Sequence, residues 1–392
     1  MKNTFWLSTR YFTFFFTWGI FLPYWIVWLM NGKSFTVEEA GIIISIGFVF
    51  RSFTTLFIFP YLCRIATLTQ LTIVIPFLSF VILVLFIPLN SFESILVVTM
   101  IFSLLYPMLL PLNETVASIL SKEGNVKYGN CRSWGSVGYI VALVVVAVLS
   151  NFIGEKNIVY IMLIGCCMMF LSGLVRTPNL LNKKVTKKKI SIITFLKSRK
   201  FVICISICIL IQGAHAAYYN YGVIYLRDLG INTSVIGFIL MLAVVAEIIF
   251  FSVADRFFGR IKPSVLFALA SLASIIRWLM IYFFMNEVAF VSSQLLHAFT
   301  FGLVHYTFIR YVNEEIDKEL VPAAQGIYAS LGMSLSTGIL TFIGGYLYSY
   351  SPNLPFLGMA LVSLPCLVLS ALLHTRYEKK SNLEEEKLHY EA

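Results

Sequence analysis

Nine ionisable side chains interrupt the long apolar runs of this 392-residue chain: Arg51, Glu114, Arg132, His215, Glu247, Arg277, His297, His305 and Arg310. A charge at the centre of a membrane helix costs roughly 2.5–3.5 kcal/mol on insertion scales, so such groups face one another or a water-filled cleft. Glu114 lies in LLPLNETVASIL and Arg132 in YGNCRSWGSVGYIVAL. Segments adjacent in sequence are usually neighbours in space, so an ion pair between them is expected. That pair is either a helix-end salt bridge or a donor fork and acceptor presented to a ligand. Tyr139 sits two helical turns beyond Arg132 on the same face, where a ring beside a guanidinium suits a sugar or a phenyl group. Gly135 and Gly138 between them are small enough for close helix approach.

The stretch LIQGAHAAYYNYGVIYL is the most polar of the apolar runs. Gln212, His215 and Tyr219 recur in it at helical spacing, which gives them one face and a cleft-lining role. Glu247 is the sole acid of LMLAVVAEIIFFSV. Desolvation penalises its charged form, so it is a candidate proton site or hydrogen-bonding ligand, with Arg277 in SLASIIRWLM available as a purely structural partner. His297 titrates in the range that suits a proton relay and has Gln294 and Thr300 one turn to either side. His305 and Arg310 lie nearer a helix end and read as structural. Arg51 in GFVFRSFTTLF is deep enough to meet a substrate anion, and equally to pair with Glu114 or Glu247. No phosphate-binding P-loop, HExxH zinc motif or nucleophile elbow occurs. The chain has no ATPase machinery or enzyme constellation of its own, and energy must come from a gradient, for which titratable groups make protons the natural choice. No cofactor or metal is expected.

These residues need elements that hold them in a bilayer. The chain is 59% hydrophobic and 12% charged, with a mean hydropathy of +0.86, more apolar surface than a soluble domain can hide. Apolar runs near 11–30, 40–62, 68–88, 94–120, 133–152, 158–175, 201–226, 233–252, 264–285, 288–311, 323–348 and 355–374 are each long enough for a membrane helix. They lack the alternation of barrel strands. The N-terminal run, preceded by Lys2 and Arg10, is too long for a signal peptide and reads as a retained span. The seven cysteines show no zinc or disulfide spacing and read as packing residues.

The net charge of +10 is gathered in alternate links: Arg64; Lys122 and Lys127; Lys183 to Lys200; Arg256, Arg260 and Lys262; Lys318; and Arg376, Lys379 and Lys380. The other links carry little beyond Lys33, Lys156 and Arg227. This positive-inside bias places both termini in the cytoplasm and argues for a bilayer rather than nucleic acid as the partner. The basic link 177–200 divides an N-terminal six-helix bundle, 1–176, from a C-terminal one, 201–376, followed by a cytoplasmic tail, 377–392. Two halves with a site between them at the midplane is a transporter layout. The expected fold is thus all-α, twelve transmembrane helices in two bundles, monomeric, in a bacterial inner membrane.

At these residues the chain resembles the major facilitator superfamily, in its lactose-permease-like branch, and most closely the 3-phenylpropionic acid transporter family. The likeness covers essentially the whole chain. It rests on KNTFW and LPYWIVWL in the first helix, YGNCRSWGSVGY at the start of the fifth and LIQGAHAAYYNYGVIYL in the seventh. The resemblance implies alternating access, with Glu114 and Arg132 as substrate-binding carboxylate and guanidinium and Tyr139 as the stacking ring. Arg51, His215 and Tyr219 would complete the substrate site, and Glu247, Arg277 and His297 would couple it to protons. In ADRFFGRIK, a partial form of a superfamily loop motif, Asp255, Arg256 and Arg260 would brace the inner gate, whereas YLCRIATLTQ is degenerate. Two departures matter. Gln294 stands where the branch keeps a coupling lysine, and Thr300 where it keeps the proton-carrying glutamate, so Glu247, Glu114 or His297 must carry any proton. A cleft with three arginines and two histidines implies a small aromatic carboxylate such as 3-phenylpropionate as substrate. The alternatives are a sugar or nucleoside symporter, a drug exporter, a membrane transferase, or a sensor that binds without flux.

Overall fold

The computed structural model describes residues 2–124, 126–175, 178–182, 184, 192–317 and 319–375. Most of the lysine run, Lys318, Arg376, both ends of the 176/177 boundary and the 377–392 tail lie outside the described residues. Within them, twelve helices are long and apolar enough to cross a membrane. They are α1 (Asn3–Lys33), α2 (Val37–Ile65), α3 (Leu68–Leu85), α4 (Phe92–Lys122), α5 (Tyr128–Ser150), α6 (Glu155–Leu174), α7 (Arg199–Asp228), α8 (Thr233–Phe258), α9 (Pro263–Phe283), α10 (Glu287–Glu315), α11 (Val321–Tyr350) and α12 (Leu354–Thr375). Successive spans run in opposite directions, so the C-terminal ends of α2, α4, α6, α8 and α10 and the N-terminal ends of α3, α5, α7, α9 and α11 share one end of the molecule, called the basic face; the other helix ends form the opposite face.

Helix α1 is the most enclosed. It packs on α5 and α6, and α3 packs on α6 and α4. In the second half, α9 packs on α12 and α10, and α7 packs on α11. The halves meet through α2 with α11, α5 with α8, and α1 with α7. Small residues set these seams. A Cβ at Gly138 would collide with the Phe12 carbonyl oxygen, so α5 and α1 touch backbone to backbone. A Cβ at Gly237 would lie 2.8 Å from the Leu143 carbonyl, which closes α8 on α5 toward the opposite face. Along the α2–α11 seam, Ser45 donates to the Gly338 carbonyl at 2.7 Å and the Ser52 and Ser330 hydroxyls meet at 2.6 Å.

One expectation from the sequence is corrected. Arg10 does not precede the first span; it lies inside α1, fully buried. Its Nε donates to Asn113 Oδ1 at 3.0 Å and one terminal nitrogen reaches the Thr72 carbonyl and Ser172 Oγ, each at 3.3 Å. Its Cζ lies 5.3 Å from the Trp6 ring centroid. Neutral acceptors from α3, α4 and α6 and a ring face thus replace water around the guanidinium, which lets the helix begin at Asn3 rather than at residue 11.

Candidate functional site

Helix α1 supplies the wall of the site. Tyr11, Phe15 and Trp18 fall at i, i+4 and i+7, one stripe of the helix. Two arginines from other helices lie on this stripe. Arg132 of α5 has its Cζ 4.4 Å from the Phe15 centroid and 5.6 Å from that of Tyr11. Arg51 of α2 has its Cζ 4.5 Å from the Trp18 centroid and 5.7 Å from that of Phe48. Ring faces attract cations through their quadrupoles, which holds both guanidiniums without using their donors. Three residues of helix rise separate Phe15 from Trp18, about 4.5 Å, so the cations occupy neighbouring levels of one aromatic ladder.

Their electrostatic surroundings differ. Arg132 Nε lies 3.3 Å from Glu114 Oε1, and the Tyr128 hydroxyl donates to Glu114 Oε2 at 2.8 Å. Both members of that pair are about one-third exposed, 34% and 36%. Gly135 makes room for it: a Cβ there would meet the Phe15 ring at 2.6 Å and Arg132 Nη1 at 2.8 Å. Arg51, half-buried, has neither a carboxylate within 4.0 Å nor a side-chain hydrogen bond among the described residues. It pairs with neither Glu114 nor Glu247, because Trp18 and Phe48 hold its guanidinium against α1. Tyr139 meets α1 at Gly19, where a Cβ would lie 3.2 Å from its ring.

The second half contributes a polar cluster built on two helices that widen locally. α7 makes a π-turn at Ala217–Tyr221 and α10 one at Ala298–Gly302. Such turns shift the register of side chains and recur at functional sites. Fully buried Arg277 of α9 donates to Thr300 Oγ1 at 2.9 Å and faces His297 Nδ1 at 3.0 Å. The Tyr218 and Trp278 rings flank its guanidinium. Because an arginine only donates, His297 Nδ1 accepts and Nε2 carries the hydrogen. That Nε2 lies 3.9 Å from Glu247 Oε2. His215 Nδ1 faces the Ile211 carbonyl at 2.9 Å, and a carbonyl only accepts. Its Nε2 is therefore the acceptor, and Thr300 donates to it at 3.0 Å.

The structure thus brings Glu114 with Arg132, and Glu247, His297, Arg277, Thr300 and His215 into one chain. It does not join Arg277 directly to Glu247; His297 stands between them. Gln212, His215 and Tyr219 all turn toward α10: Gln212 reaches the Phe301 carbonyl at 3.5 Å and donates to the Tyr328 hydroxyl of α11 at 2.8 Å, His215 meets Thr300, and the Tyr219 ring lies edge-on to His297 and stacks on His215 with centroids 5.6 Å apart. Gln294 is buried, with its amide turned onto the Phe290 carbonyl. Asp255, Arg256 and Arg260 are exposed at the basic face, Asp255 accepting from Tyr306 at 2.9 Å. Arg310 caps the end of α8 by donating to the Phe258 and Ile261 carbonyls at 3.0 and 2.9 Å. Sequence reasoning missed Phe15, Trp18 and Phe48; the signal for Phe15 and Trp18 was the three- and four-residue spacing of rings along α1, and that for Phe48 its place three residues before Arg51 on α2.

Comparison with known proteins agrees with this architecture. The chain is 29% identical over 375 residues to a probable 3-phenylpropionic acid transporter of Escherichia coli (strain K12), covering 94% of this chain and 97% of that one. It is 27% identical over 261 residues to the maltose permease of Geobacillus stearothermophilus, 66% of either chain. Among solved structures, the nucleoside transporter NupG superposes with a TM-score of 0.81 at 16% identity, over 96% of this chain and 99% of that one. A peptide transporter of the POT type superposes with a TM-score of 0.74 at 12% identity, over 96% and 94%. These structures share the major facilitator fold of two six-helix bundles, and the relatives are transporters rather than enzymes. The protein is a multi-pass membrane transporter for a small molecule. Its residues 4–357 match the model of the MFS_1 like family, and the chain belongs to that family.

Proposed function

We propose that this protein is a proton-coupled permease for 3-phenylpropionate or a similar aromatic carboxylate, working by alternating access. The observation that carries this reading is Arg51, a guanidinium laid on Trp18 and Phe48 with no carboxylate within 4.0 Å among the described residues. An unneutralised cation among rings offers a carboxylate its charge and a phenyl group its stacking surface. Arg132, with Glu114, Tyr139, His215 and Tyr219, forms the rest of the substrate site. Glu247 carries the proton, with His297 and Arg277 setting its surroundings. The relative named as a probable 3-phenylpropionic acid transporter supports the same substrate class. On this reading the basic face is cytoplasmic, with both termini on that side of a bacterial inner membrane. The chain acts as a monomer of two bundles, and Asp255, Arg256 and Arg260 brace the inner gate when the cleft shuts there.

One observation favours a second reading, a sugar or nucleoside symporter. Glu114 and Arg132 beside Phe15 offer an acceptor, donors and a ring face, which is what a neutral polyol needs. Uptake of radiolabelled 3-phenylpropionate into energised vesicles, with and without a protonophore, separates the two. Protonophore-sensitive accumulation, lost in Arg51→Gln and not competed by sugars or nucleosides, is the expected result. Absence of uptake above empty vesicles, with sugar or nucleoside uptake in the same vesicles, would establish the second reading instead.

A further inference from the structure

His305 lies outside the site described above, yet it repeats part of that site. Along α10, His297, Phe301 and His305 fall at i, i+4 and i+8, and their rings form one stack. The His297 and Phe301 centroids are 5.3 Å apart at an interplanar angle of 7°, and those of Phe301 and His305 are 6.2 Å apart at 3°. Along the facing helix α8, Glu247, Phe251 and Asp255 fall at the same spacing. Both helices therefore carry a titratable group, a phenylalanine and a second titratable group in the same order toward the basic face. The first pair meets directly, Glu247 lying 3.9 Å from His297; beyond it the two rows are offset, the Phe251 ring meeting His305 edge-on with centroids 6.0 Å apart and Asp255 accepting from Tyr306.

The surroundings of His305 suit a group that changes protonation state. Its Nδ1 lies 3.2 Å from the Tyr328 hydroxyl of α11, which itself accepts from Gln212 of α7. In the tautomer whose Nδ1–H donates to the Tyr328 hydroxyl, Nε2 is bare and is the nitrogen that takes up and releases a proton. His305 is half-buried, and one turn onward a cavity of about 270 Å³ is lined by Asp255, Tyr306, Ile309, Arg310, Asn313 and Glu314. Eight residues of helix separate His297 from His305, about 12 Å of rise, too far for direct transfer and short enough for a water bridge past one ring.

We infer that His305 is the station through which a proton leaves Glu247 and His297 toward the basic face, and that Phe301 with Phe251 is the plug between them. The O–H bond of Glu247 breaks when water enters past Phe301. An N–H bond forms at His305 Nε2, and that bond then breaks to water at the mouth beside Asp255. Nothing is oxidised or reduced. The plug keeps the two stations apart until the site is loaded, which prevents an idle leak. This inference rests on the proton-coupled reading above.

The test uses the full chain in liposomes that enclose a pH-sensitive dye. Labelled 3-phenylpropionate is followed in two modes: uptake driven by an imposed pH gradient, and exchange at equal pH, which needs no net proton movement. His305→Gln is expected to lower the ratio of driven uptake to exchange at least about tenfold, the scale of losing a positioned proton-transfer group. His305→Glu, which restores a titratable group, should recover part of it. Phe301→Ala should raise the proton leak without any substrate, and adding His305→Gln should reduce that leak. A wild type that exchanges but shows no gradient-driven uptake would remove the proton-coupled reading and this inference with it. Coupled wild-type transport with an unchanged ratio in His305→Gln, or equal leaks in the Phe301→Ala single and double variants, would overturn the exit station alone.

Discussion

If Arg51 anchors the substrate carboxylate, its removal should be felt in binding before any transport step. A carboxylate about 4 Å from a guanidinium gains about 4 kcal/mol at an effective dielectric of 20. Arg51 is half-buried rather than sealed, so solvent screens part of this. A loss of roughly 2–3 kcal/mol on Arg51→Gln is the consequence, about a 30- to 150-fold rise in Kd. Arg51→Lys keeps the charge but gives up the planar fork and its stacking on Trp18, worth about 0.5–2 kcal/mol. The order of affinity should be wild type, then lysine, then glutamine. Titration calorimetry with 3-phenylpropionate on purified protein measures this without requiring turnover. A neutral analogue, 3-phenylpropionamide, should bind all three forms alike. Melting temperatures near wild type would show that the fold survives, as expected for a side chain whose donors bond to nothing among the described residues. A well-folded Arg51→Gln protein that binds 3-phenylpropionate within about threefold of wild type would refute the reasoning.

Three further outcomes follow from the geometry. Gly138→Ala places a methyl group against the Phe12 carbonyl; overpacking of this kind costs about 1–3 kcal/mol and should lower the melting temperature, whereas an unchanged value would show that α1 and α5 separate easily. Thr300→Val removes the acceptor for Arg277 and the donor to His215, leaving buried polar groups unmet at about 1–3 kcal/mol, which a thermal melt also reads; Thr300→Ser should restore stability. Glu155, the first residue of α6, accepts from Arg227 and Thr233 of the other half, each at 2.8 Å, and so latches the opposite face. Glu155→Gln should shift the population open toward that face by up to about fivefold, the about 1 kcal/mol ceiling of a part-exposed pair, seen as longer distances between spin labels in the α3–α4 and α11–α12 links; unchanged distances would deny the latch.

Much of this fold was legible because hydropathy alone decides which segments enter a bilayer, and twelve runs are found as twelve helices. Glu114 with Arg132 was legible for a related reason, since the two lie on consecutive helices joined by a short link. Arg10 was not, because its acceptors come from residues 62, 103 and 162 positions away, and no local pattern announces a buried cation met by neutral groups. The face of α7 was legible from spacing, since Gln212, His215 and Tyr219 all turn toward α10, whereas the π-turn at Ala217–Tyr221 was not, because no residue pattern marks where a helix widens. The partner of Arg277 was half legible: the sequence offered Glu247, and the fold places His297 between the two.

That interposition bears on how a carrier without an acid at position 300 could couple protons to an anion. Thr300 can accept from Arg277 but cannot neutralise it. The site then holds the guanidiniums of Arg51, Arg132 and Arg277 against the carboxylates of Glu114 and Glu247. With the histidines neutral this leaves one positive charge, or two once Glu247 is protonated. On the proposed reading, a monoanionic substrate meets a site whose attraction rises when Glu247 takes its proton, so proton and anion favour each other's binding. Linkage makes that preference reciprocal. His297 is the group through which the two are felt, since Arg277 fixes its tautomer from one side and its Nε2–H points at Glu247 from the other. Replacing His297 with Leu, which can neither accept from Arg277 nor donate to Glu247, should weaken the dependence of substrate affinity on pH more than it weakens affinity itself. Binding titrations of His297→Leu across pH 5 to 9 read that directly. A pH dependence identical to wild type would show that Glu247 and the anion are linked without His297, through charge alone.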